Sequence, residues 1–273
     1  LTSNVNNLVE DGSCSPALSG DPKLGGLANN GGTTPTFAPL AGSAAIDAGN
    51  PLTCKPTDQR GYPRPQDGNA DGLAVCDIGS VEKLRSLTFR SVGTQDGWVL
   101  ESSENSSVGG SLNSTLTTVR LGDDALNRQY RGILSFNTVA IPDTAVVPRI
   151  LLKVQQQSIT GANPFLTHGS LLVDIRRGVF GGGAALQTGD FSAVSNLNAA
   201  GAFNKNPLAG SWYQAVLKPT ASPYINKTGV TQLRLRFQLD DNNDLGADYL
   251  SIFSGDNGTI ASRPLLYIEY YIP

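Results

Sequence analysis

The stretch Asp67-Gly68-Asn69-Ala70-Asp71-Gly72 sets oxygen-bearing side chains at alternate positions and ends on a glycine. That spacing matches the opening of a calcium loop: three oxygens reach one hard cation, and the glycine permits the turn. The Leu73 main-chain carbonyl would come next. An EF-hand closes on a bidentate Glu, but Ile78 holds that place and Asp77 lies one residue before it. No helical pattern flanks the segment. The expectation is a partial, non-EF-hand Ca2+ loop, set against a bare Asp/Asn/Gly turn. A second acidic stretch, with Asp240, Asp241 and Asp244, follows a strand and could bind Ca2+ at a sheet rim or stand as solvated turn acids. Asp123-Asp124 and Asp96 carry less signal. Calcium at any of these places would stiffen loops, because nothing beside them resembles a general base.

Catalysis needs a positioned acid, base or nucleophile. The one histidine, His168, stands in a turn before a strand and reads as a surface residue. No GxSxG, HExxH or GxxxxGK motif occurs, and nearly every acid is read as falling in a turn next to Gly or Asn, where short acceptors stabilise turns. The chain is therefore expected to be non-catalytic. Trp212-Tyr213, after Gly210-Ser211, could present one ring outward as a sugar platform while the other packs inward. Trp98, in an alternating run, reads as core. Sequons occur at Asn105, Asn113, Asn226 and Asn257 and matter only in a eukaryotic secretory pathway.

Charged residues make up only 16% of the chain while Gly numbers 31, a composition of short strands joined by turns. A net charge of −3 offers no basic field, which argues against nucleic-acid partners. No apolar run is long enough to span a bilayer, so no membrane insertion is expected. No Met occurs, not even first, which suggests a processed start or a piece of a longer protein. Cys54 and Cys76 bracket a Pro/Gly-rich loop whose closure as a disulfide would contribute about 3 kcal/mol and favour an oxidising compartment. Cys14 is left over, as a buried thiol or half of another bridge.

The pattern changes at Ser80–Ser86. Before it the chain is turn-rich; after it, period-two alternation dominates, as where Leu233, Leu235 and Phe237 alternate with Arg234, Arg236 and Gln238. Such strands have one dry and one wet face. Leu134/Phe136, Ile150/Leu152/Val154, Leu171/Val173/Ile175, Trp98/Leu100 and Leu266/Ile268/Tyr270 give further strands, and Ala184–Val194 could hold a short helix. The fold expected is all-β: a turn-rich segment over 1–83, then a β-sandwich or jelly roll over 84–273.

Two resemblances sharpen this. Asp21-Pro22-Lys23-Leu24, Leu27 to Gly32, Ser43 to Gly49, Thr57-Asp58-Gln59-Arg60-Gly61, Arg64-Pro65 and Cys76-Asp77-Ile78-Gly79 occur in order. Over about residues 4–82 the chain resembles the C-terminal tail of secreted bacterial right-handed parallel β-helix proteins of the choice-of-anchor type. The resemblance implies that 1–83 is the short capped end of a parallel β-helix, with Leu1–Val9 a remnant of a last rung and the rest folded over it as a cap. Asp96-Gly97-Trp98-Val99, Leu121-Gly122-Asp123, Arg131 to Phe136, Ala140-Ile141-Pro142 and Ser262-Arg263-Pro264 resemble DNRF-type β-sandwich modules of bacterial surface and carbohydrate-processing proteins, apart from a long polar stretch at Asn196–Asn206.

The function expected is that of a secreted, bacterial, structural or adhesive surface protein. Its partners would be other copies of itself, joined head to tail into a fibre or layer by strand addition. The alternative is a Ca2+-dependent module binding surface glycans on a larger secreted protein. A third is a non-catalytic fragment of a β-helix polysaccharide-degrading enzyme.

Overall fold

A computed structural model describes residues 6–273; the first five positions of the expected rung, Leu1 included, lie outside the described residues. The protein is all-β and divides into two compact units. One comprises residues 6–86 with 144–148 and 269–273, the other residues 87–143 with 149–268.

Over residues 6–84 of the first unit, regular pairing is confined to β1 (Leu8–Val9) and β2 (Leu18–Ser19), which run parallel with Leu8 opposite Leu18. The remainder is turns tied by single antiparallel pairs such as Ala28–Thr36 and Gln66–Val75. With so little ladder, buried main-chain N–H groups need other acceptors. Four carboxylates supply them. Asp58 accepts from the amides of Arg60 (2.7 Å), Tyr62 (3.1 Å) and Glu82 (3.0 Å). Glu82 accepts from Gln66 (2.7 Å) and Asp77 (3.0 Å), Asp77 from Asp47 (2.8 Å) and Lys83, and Asp67 from Asp71 (3.1 Å) and Gly72 (2.9 Å). Arg60 pairs with Asp58 and Arg64 with Glu82. Turn acids expected to be solvated are thus buried, because they replace the missing ladder.

The second unit is built from β3 (Arg85–Arg90), β4 (Gly97–Glu101), β5 (Gly109–Asn113), β6 (Thr118–Asp123), β7 (Gln129–Asn137), β8 (Val146–Thr160), β9 (Leu171–Arg177), β10 (Leu197–Phe203), β11 (Trp212–Leu217), β12 (Val230–Phe237), β13 (Tyr249–Phe253) and β14 (Leu265–Tyr271), although β3, β8 and β14 each contribute a few residues to the first. A single helical turn, α1 (Pro164–Thr167), starts where Asn163 Oδ1 accepts from the Phe165 amide at 3.0 Å and proline presets the first position. The order β11-β10-β9-β12-β7-β6-β13-β8 closes on itself, because β8 also pairs with β11. The strands are hydrogen-bonded as one antiparallel sheet rolled shut rather than as two separate sheets.

Alternation fixes the inside. Leu233, Leu235 and Phe237 of β12, Leu134 and Phe136 of β7, and Val173 and Ile175 of β9 are fully buried. Each such side chain contributes about 1.5–3 kcal/mol. The face of β12 expected to be wet is largely covered. Gln232 accepts the Phe180 amide at 2.6 Å, and Arg234 donates to the carbonyls of Asp190, Phe191 and Ala193. Those carbonyls belong to a segment that packs Phe180, Leu186 and Phe191 onto Val99 and Ile133. It holds only a 3₁₀ turn, Thr188–Phe191. The polar stretch at 196–206 contains β10, whose irregular pairing centres on Ala199 at φ 47°.

Candidate functional site

The oxygens of the 67–72 loop are engaged within the protein. Asp67 forms an ion pair with Arg85 besides its two amide bonds. Asp71 accepts from the Leu73 amide at 2.8 Å and from the Asn69 side chain at 3.0 Å, and Asn69 from the Asp71 amide at 2.8 Å. Leu73 itself is exposed. Asp77 is 2% exposed, and burial, joined by the nearby charges of Glu82 and Asp47, pushes its carboxyl up to about 7. The sequence reading missed Asp47. Its φ is 53°, burial raises its pKa, and its carboxylate faces Asp67 and Asp71 without a hydrogen bond of good geometry. Among the described residues no three His, Cys, Asp or Glu side chains converge as a ready-made metal cage.

Cys54 and Cys76 are joined by a disulfide, and Cys14 is exposed, not buried. Beside β1 the first unit carries an open apolar groove of about 520 Å³. Leu8, Leu24, Leu27, Phe37, Pro39 and Val81 line it. Leu27 is 61% and Phe37 52% exposed, so the groove presents apolar surface to solvent. Proline-rich turns prevent this segment from folding back into a ladder that would cover those side chains. The groove therefore adjoins a parallel pair whose outer edges have no further strand among the described residues.

In the second unit the aromatic expectations divide. Tyr213 is core: it is 1% exposed, stacks on Phe165 at 4.8 Å and donates to Gln156 at 3.1 Å. Trp212 is half-buried on the opposite face of β11. Trp98, expected in the core, is half-buried in a cluster the sequence did not reveal. Its ring meets Tyr130 edge-on at 5.0 Å, and Tyr130 meets Tyr249 at 5.7 Å. The Arg120 guanidinium lies 4.9 Å from the Tyr249 ring and 5.6 Å from that of Trp98, with no carboxylate partner among the described residues. Four strands, β4, β6, β7 and the sequence-distant β13, bring this cluster together.

His168 is not a surface residue. It is fully buried at the end of α1, with Nδ1 2.7 Å from the Thr167 hydroxyl and Nε2 3.2 Å from Asp123, itself fully buried. Of the acidic stretch that follows β12, Asp241 is buried, with its pKa raised by burial, while Asp244 accepts from the Asn242 amide group at 2.9 Å. Asp240 adds a nearby charge.

No protein-family model matches the chain, and no curated protein matches it.

Proposed function

We propose that this chain is a non-catalytic, extracellular structural or adhesive module of a bacterial surface, whose first unit receives an extended segment of a second copy by strand addition. One observation carries the reading: the open parallel pair β1–β2 beside an exposed apolar groove. A two-residue parallel pair has too few hydrogen bonds to be stable in isolation, and parallel sheets occur where they are covered. An incoming strand would extend the ladder while its alternate side chains enter the groove next to Leu8, supplying affinity and register together. In this reading the first unit is the capped end of a parallel β-helix and the second a rolled sandwich that spaces successive copies. The Cys54–Cys76 disulfide supports an oxidising location.

Light scattering and electron microscopy of concentrated protein test it. Regular head-to-tail assemblies are expected, and Phe37→Asp, which places a charge in the groove, disperses them while the melting temperature holds. A parent chain that stays monomeric, with no regular assemblies in the micrographs, refutes the reading.

The second reading, a glycan-binding module, draws support from the Trp98–Tyr130–Tyr249 rings around Arg120, where aromatic faces lie beside a guanidinium that donates to the Tyr130 hydroxyl at 3.4 Å and has no carboxylate partner among the described residues. Glycan-array binding lost in Tyr249→Ala but retained in Phe37→Asp would favour it.

A further inference from the structure

At one end of the closed sheet, the last residues of β6, β8 and β12 meet the first residues of β7, β9 and β13. Three carboxylates are buried there: Asp123 at 0%, Asp248 at 3% and Asp241 at 6% exposure. None has a Lys or Arg partner among the described residues; the Arg128 guanidinium pairs with Asp124 at 2.5 Å. Among the described residues His168, with Nε2 3.2 Å from Asp123, is the one basic side chain in contact with them. Burying unpaired charge is costly enough that such groups pair with a cation or bind a metal.

Two oxygens at this place have no hydrogen-bond partner although both are buried: Asp123 Oδ2 and Asn242 Oδ1. Both residues touch Asp248. Its amide donates to Asp123 Oδ1 at 3.1 Å, and its Oδ2 accepts from Asn242 Nδ2 at 2.8 Å. Asp248 is itself locked, with Oδ1 taking the Ala162 amide at 2.6 Å. Asp241 lies close enough to Asp123 for their charges to act on each other.

We propose that this end of the second unit binds a divalent cation of the calcium class through Asp123 Oδ2, Asn242 Oδ1 and the Asp241 carboxylate. Hard carboxylate and amide oxygens without sulfur suit calcium rather than zinc. The donors are two carboxylates and an amide, so no trio of acidic side chains marks the place. A divalent charge offsets the crowded carboxylates, and it gives both orphaned oxygens a partner. The cation ties the loop after β12 to the end of β6, a structural role. The inference stands apart from strand addition: a monomer that binds calcium would refute assembly and leave this site intact.

Calorimetric titration and thermal melts of the full chain, stripped with a chelator and then given CaCl2 or MgCl2, test it. Calcium is expected to bind saturably and to raise the melting temperature of the second unit by roughly 5 °C or more at a hundredfold excess over Kd. Binding weakens at least tenfold in Asp241→Asn and in Asn242→Leu and is unchanged in Asp71→Asn of the first unit. In chelator, Asp241→Asn melts no lower than the parent, since it removes one of three crowded negative charges; this separates lost binding from failed folding. Absence of heat and of any shift in melting temperature at millimolar calcium overturns the proposal. So does binding that is lost in Asp71→Asn but kept in Asp241→Asn.

Discussion

Asp174 is the most heavily committed carboxylate of the second unit, and removing it has consequences that can be worked out. It is fully buried on β9, accepting from Arg234 Nε at 3.1 Å and Nη2 at 3.0 Å, from Arg236 Nε at 3.1 Å and from the Ala199 amide at 2.9 Å. Although burial acts in the opposite direction, the Ala199 amide and the two guanidiniums hold its pKa below the usual carboxylate range. Asp174→Ala strands the Arg234 guanidinium, whose side chain is 6% exposed, without its counter-charge. Losing one partner of a buried pair costs about 3–5 kcal/mol. The Ala199 amide also loses its acceptor where β10 departs from regular pairing, at a cost of about 1 kcal/mol or more. Both tryptophans, Trp98 and Trp212, lie in the second unit, so urea unfolding followed by tryptophan fluorescence reports that unit alone. With a urea slope of about 2–3 kcal/mol/M, the midpoint falls by roughly 1.3–3 M. Adding Arg234→Met to Asp174→Ala removes the stranded charge and recovers part of the loss. A midpoint that moves by less than about 0.5 M, or a double variant no better than the single one, would mean that this network does not hold β9, β10 and β12 together.

Asp77 and Asp96 each have carboxyls pushed up to about 7 by burial, so the protonated forms favour folding. That contribution is fully present below the ordinary carboxylate pKa and is lost as pH rises through about 7. Calorimetric melts between pH 5 and 8 should therefore show melting temperatures falling as pH rises, less so for Asp96→Asn in the second unit; a rise with pH counts against this burial. Reducing the Cys54–Cys76 bond should cost the first unit about 3 kcal/mol, from the freedom restored to the unfolded loop, and leave the tryptophan transition unmoved. Gly132→Ala would set a methyl 2.6 Å from Val119 Cγ1 and 3.0 Å from Leu121 Cδ2, both fully buried, and should destabilise the second unit by about 1–3 kcal/mol in the same urea assay.

The sequence alone determined where strands run and which side chains face inward, because a pleated strand converts residue parity into sidedness. Leu233 to Phe237, Leu134 with Phe136, and Leu171 to Ile175 needed nothing more. Strands without that parity went unread: β10 is written in Asn, Ala and Gly, and its place comes from pairing with β9 and β11. The spacing of Cys54 and Cys76 announced their bond, since loop length is a local quantity. Partners remote in the chain were not legible. His168 meets Asp123, Arg120 meets Trp98 and Tyr249, and the sequence gives no sign of either encounter because long-range register brings them together. Acids in turn-rich sequence read as solvated, yet Asp58, Asp77, Glu82 and Asp123 are buried. Whether a turn carboxylate faces water depends on whether the folded chain offers its main-chain amides another acceptor, and only the tertiary structure decides that.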